Sequence, residues 1–516
     1  MGETFLNYYK TKVKTEWKLA FFSVLVFGLI AHLYKFTNTL LIHDSLFSVY
    51  STLENTVNGR WFLQLAGLPS SYFDLPWING ILSLFYLGLT AAVITDIFEM
   101  KNRLLIILSS ALLVTFPSMT NTFFFEFTAD AYMLSMLLAA LSVRLCIMRE
   151  NRRRLFVWAI VCVCFSCGIY QAYLSFALIL ALCYFMWELL RNRFECRTYG
   201  VWILREIIVF FVGVLLYYII WKLLMLLPHD ITESSYQGMG DAFGFSFGSV
   251  VDAALKTARE MGKLFLGQNV LEHGWTVYAV LNLVFLAGTL FFIVCAVLRS
   301  GLYKRTGFLA LFILCICAIP FAACIFFFVS PGVFYHPLML ESMCVVYIFS
   351  LLLLEEYFPP KQSSIICLLF VLLIGKNILN ANICYQQMNL CMERSRNMAT
   401  EILTRVHELD DGGIKRIVFV YSDDPAMMKK YPERLSEIAY SGNQLRSHLL
   451  YSNTYAYLYL SEIMGCEYEE VGYEGIDELE GTWVTDMMNP WPLDSSVIRM
   501  GNTAIIRLPE EVASYG

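Results

Sequence analysis

Apolar runs long enough to cross a bilayer recur along the first 380 residues. Eleven lie at roughly 19–37, 78–98, 104–117, 128–148, 155–170, 172–190, 202–227, 275–298, 307–329, 337–355 and 364–380. Each approaches the ~20 residues that span the hydrocarbon core as a helix. Only lipid is a fitting solvent for so many such runs, since every backbone polar group inside them must be satisfied within a helix. The composition agrees, at 58% hydrophobic and 16% charged, against about a quarter charged in soluble domains. The expected fold is an all-α polytopic membrane domain over 1–380, followed by a small α/β soluble domain over 381–516. No A-x-A site follows the first run, which reads as a retained span.

Lys and Arg segregate between the loops. One set carries the basic N-terminus, Lys101 and Arg103, Arg149 with Arg152–Arg154, Arg191–Arg197, Arg299–Arg305 and Lys361; the other is nearly bare. The positive-inside rule makes the first set cytoplasmic, and eleven spans then put the N-terminus inside and the tail outside. The long loop 228–274 breaks the pattern, as long loops do. From Ala381 onward 21 acidic residues face 11 basic ones, and there is no basic patch of the kind nucleic acid requires. Twelve of the fifteen cysteines precede residue 381, mostly inside apolar runs, where they behave as small apolar residues. The odd number in the tail (Cys384, Cys391, Cys466) argues against a full disulfide framework. No Walker loop, GxGxxG or HExxH appears in the required context.

The outside face then collects the candidates for chemistry. LIHDSLFSVYSTLENTVNGRWF (41–62) holds His43, Asp44, Glu54, Arg60 and Trp61. Asp44 is either a general base or a helix cap, and spacing alone favours the cap. Glu126 and Asp130, four apart in TNTFFFEFTAD, would share a helix face. They read as functional acids entering the membrane or as acids satisfied at the interface among Phe123–Phe125. Candidate phosphate-holding cations on this side are Arg60, Arg259, Lys263, His273 and His336. Arg60 and Trp61 read equally as interfacial anchors, and His336 as a loop histidine. Tyr170–Gln171 marks a hairpin tip where packing is the default. Residues 249–267 form an amphipathic helix, lying on the interface or packed on span ends. In the tail, 382–409 is helical and stops at Gly412–Gly413. IKRIVFVYS (414–422) is a buried strand followed by Asp423–Asp424, PERLSEIAY and YAYLYLSEIMG are helices, and NTAIIRL (502–508) is a closing strand.

HDSL (43–46), NGRWF (58–62), LPWINGILSLFYLGL (75–89), FFFEFTADAYMLSMLLAAL (123–141), GIYQAYLS (168–175) and NPWPLDSSVIRMGNTAIIRL (489–508) together resemble the bacterial membrane glucosyltransferases that decorate O-antigen and other surface polysaccharides. The resemblance implies a C-type glycosyltransferase fold in the bacterial cytoplasmic membrane. It implies a polyprenyl-phosphate sugar as donor, a cell-surface or lipid-linked glycan as acceptor, and a catalytic acid in the first outer loop. Carried onto this chain, it makes Asp44 the base, with Glu126 and Asp130 as second-loop acids that orient the acceptor or share that role. His43, Arg60, Trp61, Tyr170, Gln171, Lys263 and His336 are the candidate substrate contacts. Paired loop-one acids are replaced here by His43–Asp44, and no metal or other cofactor is assigned. Membrane lipid, a flippase and a donor synthase are the partners the resemblance suggests. The competing function is a transporter or flippase of a lipid-linked glycan, which would place polar groups at the bilayer midplane and show repeats.

Overall fold

The computed structural model describes residues 13–47, 52–148, 152–191, 196–227, 247–266, 277–330, 332–422, 446–471 and 487–509. His273, Asp423–Asp424 and PERLSEIAY lie outside them. The chain divides into two compact units, one of residues 1–38 and 50–382, the other of residues 39–49 and 383–516.

In the first unit every apolar run is helical. The long helices are α1 (Thr15–Thr37), α2 (Pro76–Ile97), α3 (Arg103–Thr115), α4 (Pro117–Phe124), α5 (Glu126–Ile147), α6 (Arg152–Ile169), α7 (Tyr173–Arg191), α8 (Cys196–Leu224), α9 (Phe247–Phe265), α10 (Val277–Ser300), α11 (Thr306–Ala323), α12 (Cys344–Tyr357, continuing the 3-10 segment Pro337–Met343) and α13 (Pro360–Leu409). Among the described residues nine helices are long and apolar enough to cross a membrane, or ten if α3 and α4 count as one bent span. The protein is therefore a multi-pass membrane protein. Eleven runs yield fewer qualifying helices for two local reasons. α6 opens on Arg152–Arg153–Arg154, which leaves too short an apolar stretch. The run at 104–117 ends at Phe116, where Pro117 starts a new helix at an angle of 41°. Proline lacks the N–H that would continue the ladder and is accommodated at a first helical position.

That break overturns one expectation. Residues 121–130 are not an outer loop. They are the end of α4, a single bend at Phe125, and the first turn of α5. Glu126 and Asp130 are at 0% exposure inside the protein. The hairpin at 168–171 is present, with only residues 170–172 between α6 and α7.

Small residues let the helices approach closely. On α2, a Cβ added at Gly80 would sit 2.4 Å from the ring of Phe36, and one at Gly88 would sit 2.5 Å from that of Phe21. Exposed apolar side chains such as Ile30, Phe85, Phe211 and Phe291 coat the outer surface, as a lipid-facing belt requires. The segment Pro337–Tyr357 is almost wholly buried. At the basic ends of the spans, Asp96 pairs with Lys14 at 2.6 Å and with Arg144 at 2.5 Å. Helix α9 buries Ala253, Thr257, Met261 and Leu264, while Val250, Val251 and Leu255 stay exposed. It packs on α11 and on the segment Phe326–Val329, so packing describes one flank and an open apolar surface the other.

The second unit is a small α/β layer. Strands β1 (Arg416–Ser422), β2 (Glu469–Glu470), β3 (Val497–Met500) and β4 (Thr503–Pro509) form one sheet in the order β2-β1-β4-β3. β1 runs parallel to β2 and β4, and β3–β4 is an antiparallel hairpin closed through Gly501 at φ 62°. Helix α13 ends where the Asp410 carboxylate accepts from the N–H groups of Gly412, Gly413 and Ile414; these bonds hold its pKa below the ordinary carboxylate value. Ile417, Phe419, Leu450, Tyr459, Ile506 and Leu508 make the core, and Leu41 and Leu46 join it. Those two leucines explain why 39–49 folds with the tail. The NPWP segment is held by Arg405, which donates to the carbonyls of Pro492 and Leu493 and stacks 4.4 Å over Trp491. Cys384 and Cys391 are buried free thiols, and Cys466 is a half-buried one.

Candidate functional site

Helix geometry brings one end of three spans together. Lys35 lies in the last turn of α1 and Glu126 in the first turn of α5. Their charged atoms meet at 2.6 Å with both side chains at 0% exposure. The start of α2 is tied to them by Asn79. Its amide donates to the Glu126 carbonyl at 2.9 Å, and its Oδ1 accepts from the Leu75 N–H at the helix start. Asp130 lies one turn further along α5 and is equally buried. Ser70 and Asn79 border its carboxyl. Neither carboxylate oxygen has a well-formed hydrogen bond among the described residues. Asp74, just before α2, lies close enough to repel Glu126 electrostatically. A carboxylate with a lysine counter-charge in an apolar surround is costly to assemble, and such residues in membrane proteins are functional candidates by default.

An aromatic and cationic wall stands beside these acids. Arg60 donates to the Tyr132 hydroxyl at 3.3 Å and stacks 4.8 Å over Tyr170. Tyr132 and Tyr170 are themselves stacked, 4.5 Å apart and 8° from parallel. Tyr72 faces Tyr132, Arg60 and Asp130. Burial raises its hydroxyl pKa above the ordinary phenol value, Tyr132 and Asp130 add to the rise, and Arg60 opposes it. Ser71 and Tyr72 hold φ of 55° and 64°, a left-handed pair that non-glycine residues adopt at a cost and that clusters at functional sites.

The remaining candidates separate. Trp61 packs on Gly168, whose added Cβ would sit 2.8 Å from the indole, and near Phe165. Gln171 donates to the Asn58 carbonyl and to the Tyr217 hydroxyl, bracing the loop against α8. Lys263 pairs with Glu260 at 2.9 Å. His336 lies between the rings of Phe125 and Phe334. His43 and Asp44 belong to the second unit. Asp44 sits inside the 3-10 turn His43–Leu46, whose N-cap is Ile42, so it does not cap that turn. Its Oδ1 lies 3.3 Å from His43 Nε2, and the carboxylate is 31% exposed. Burial lowers the His43 pKa, Asp44 opposes that shift and Arg446 adds to it.

Sequence reasoning missed Lys35, Asp74 and Tyr72. Lys35 was legible as a lysine inside an apolar run, a costly placement. Asp74 and Tyr72 carried no signal before the chain folded. Among the described residues no three His, Cys, Asp or Glu side chains converge as metal ligands.

The family model of the glucosyl transferase GtrII matches residues 33–355, more than half of the chain. The chain belongs to the GtrII glucosyl transferase family. The match spans Lys35, Arg60, Glu126, Asp130 and Tyr170 as well as Asp44, and membership makes this membrane protein a glycosyltransferase. No curated protein matches the chain, and neither does any solved structure.

Proposed function

We propose that this GtrII-family protein transfers a glucosyl group from a polyprenyl-phosphate donor to a cell-surface or lipid-linked glycan. The reaction takes place on the outer face of the bacterial cytoplasmic membrane, and the membrane unit has a C-type glycosyltransferase fold. The observation that carries this reading is the buried cluster where α1, α2 and α5 meet, inside the family-matched region. An acceptor hydroxyl attacks the anomeric carbon, the bond from that carbon to the phosphate oxygen breaks, and the hydroxyl proton passes to a carboxylate. Polyprenyl phosphate leaves with its new negative charge stabilised by a cation. Glu126 is engaged by Lys35, and Asp130, one turn further along α5 and beside Tyr72 and the Arg60 wall, is the carboxylate assigned to take the proton. Arg60, held on Tyr170 and Tyr132, is the cation for the phosphate.

A second assignment of the base is Asp44. Its partial exposure and its contact with His43 favour it, as does the first-loop acid of the resembling enzymes. Transfer of labelled glucose from polyprenyl-phosphate glucose, measured in membranes, separates the two. Asp130→Asn is expected to lower turnover by about 10²- to 10⁴-fold, the usual contribution of general base catalysis, with protein level and melting unchanged. A normal rate in Asp130→Asn together with a dead Asp44→Asn moves the base to Asp44. Normal rates in both variants refute the acid-base reading altogether.

A further inference from the structure

One buried acid of the membrane unit takes no part in the cluster of α1, α2 and α5. Glu341 lies in the 3-10 segment Pro337–Met343 that leads into α12, and that segment packs on α4 and α7. Glu341 is 2% exposed, and neither carboxyl oxygen has a well-formed hydrogen bond among the described residues. Its polar neighbour is the Cys344 thiol, and among the described residues no cation faces it as Lys35 faces Glu126. A lone ionised carboxylate in an apolar surround is far more costly than the neutral acid. Glu341 is therefore held as a carboxylic acid, with an O–H to donate.

Beside it stands Tyr173, the first residue of α7. Tyr173 is 3% exposed, and its hydroxyl also lacks a well-formed bond among the described residues. The Glu341 carboxyl and the Thr122 hydroxyl of α4 both act on that hydroxyl. Thr122 gives its one hydrogen to the Ser118 carbonyl at 3.1 Å, so toward Tyr173 it can only accept. If Tyr173 gave its hydrogen to an ionised Glu341, its lone pairs would meet those of Thr122. With Glu341 as the acid, every donor finds an acceptor in one order: Glu341 to Tyr173, Tyr173 to Thr122, Thr122 to the backbone of α4. The ring of Tyr173 stands edge-on to the stacked pair, 6.3 Å from Tyr132 and 6.0 Å from Tyr170. Those two rings carry Arg60, one through its hydroxyl and the other through its face. A satisfied buried network is rigid, so a tether at the tip of Tyr173 fixes the back of the wall that holds Arg60.

We propose that Glu341, carrying its proton, is a positioning residue for the transfer: it anchors the Tyr173 hydroxyl, and through that ring it sets the Tyr132–Tyr170 pair on which Arg60 rests. The transferase reading supplies the reaction that this positioning serves; the tie between Glu341 and Tyr173 stands without it.

Infrared difference spectra of the full chain in an ester-free detergent, wild type minus Glu341→Gln, test the proton without turnover. The carbonyl band of a protonated carboxyl is expected, and its absence overturns the proposal. Transfer of labelled glucose from polyprenyl-phosphate glucose, per folded protein, tests the positioning. Glu341→Leu is expected to lower kcat by about 10- to 100-fold, the scale of a small misplacement of a binding group, with the donor KM within about threefold. Glu341→Gln, whose amide N–H replaces the O–H toward Tyr173, is expected to keep kcat within about threefold of the wild type. A group needed for its negative charge would not be rescued in this way. Tyr173→Phe keeps the ring and loses the tether, so adding Glu341→Leu to it is expected to lower kcat by less than about twofold further. Equal losses in Glu341→Gln and Glu341→Leu, or losses in Glu341→Leu and Tyr173→Phe that multiply, overturn the proposal, while turnover by the wild type leaves the transferase reading standing. A wild type that transfers no glucose refutes the transferase reading, and the infrared band with the same non-additivity in unfolding midpoints then decides the tie. If Glu341→Leu does not fold, the band and the Glu341→Gln rate carry the test.

Discussion

Replacing Lys35 with methionine removes the cation from a carboxylate that has no access to water. Lys35 Nζ and Glu126 Oε2 are 2.6 Å apart, and both side chains are fully buried. At an effective dielectric of about 20 the Coulomb attraction at that distance is roughly 6 kcal/mol. Desolvation costs several kcal/mol per ion, so the intact pair contributes little net stability. Breaking it is a different matter, because the surviving charge keeps its desolvation cost and loses its partner. Lys35→Met is therefore expected to destabilise the full chain by about 3–5 kcal/mol, and replacing both partners by apolar residues is expected to be close to neutral. The assay is unfolding in mixed micelles titrated with sodium dodecyl sulfate, followed by tryptophan fluorescence, for wild type, Lys35→Met, Glu126→Met and the double variant. With the double variant near neutral, the expected coupling between the two positions is at least about 3 kcal/mol, at or above the upper end of the range usual for contacting residues. A Lys35→Met midpoint within about 1 kcal/mol of wild type, or strict additivity in the double variant, would refute the pairing and with it the reason for setting Glu126 aside as the base. Glucose transfer by the double variant supplies the second readout. If the pair only positions α5, the folded fraction of the double variant turns over faster than Asp130→Asn, which is expected to lose about 10²- to 10⁴-fold.

Two further outcomes follow from local geometry. Burial lowers the His43 pKa below its ordinary 6.5, so the unfolded chain binds more protons than the native one once the pH drops to that range. Stability of the second unit should accordingly decline as pH falls through about 6.5, until His43 protonates in the folded state as well. Hydrogen exchange of peptides covering 446–471, corrected for intrinsic rates, should show less protection at pH 5.5 than at pH 7.5; His43→Gln should flatten that difference, and an equal difference in the variant would sink the assignment. Gly80→Ala pushes a methyl group into the buried Phe36 ring and should cost about 1–3 kcal/mol. Gly375→Ala, with nothing within 4 Å of its added carbon, should be neutral or stabilising by up to about 1 kcal/mol, since alanine is the better helix former. The reverse order of unfolding midpoints would contradict the close approach of α1 and α2.

The sequence by itself determined the class of the protein and most of its elements. Apolar length alone announces membrane helices, because lipid offers the backbone no hydrogen-bond partner. Alternating and continuous apolar stretches located β1 and β4, and Gly412–Gly413 marked the end of α13. Short motifs in order, such as NGRWF and FFFEFTADAY, carried the family before any fold was known. Tertiary structure decided what those motifs do. Pro117 and the bend at Phe125 turned a presumed loop into helix and buried Glu126 and Asp130, which no periodicity in 121–130 reveals. Lys35 and Glu126 are 91 residues apart, and only the packing of α1, α2 and α5 makes one the counter-charge of the other. Arg60, Tyr132 and Tyr170 form a wall for the same reason: stacking and hydrogen bonding act through space at a few ångströms, whereas spacing along the chain constrains only neighbours on one helix or strand. The placement of Asp44 with Tyr451 and Tyr455 is likewise a consequence of two leucines, Leu41 and Leu46, joining a core whose other members lie more than 340 residues away.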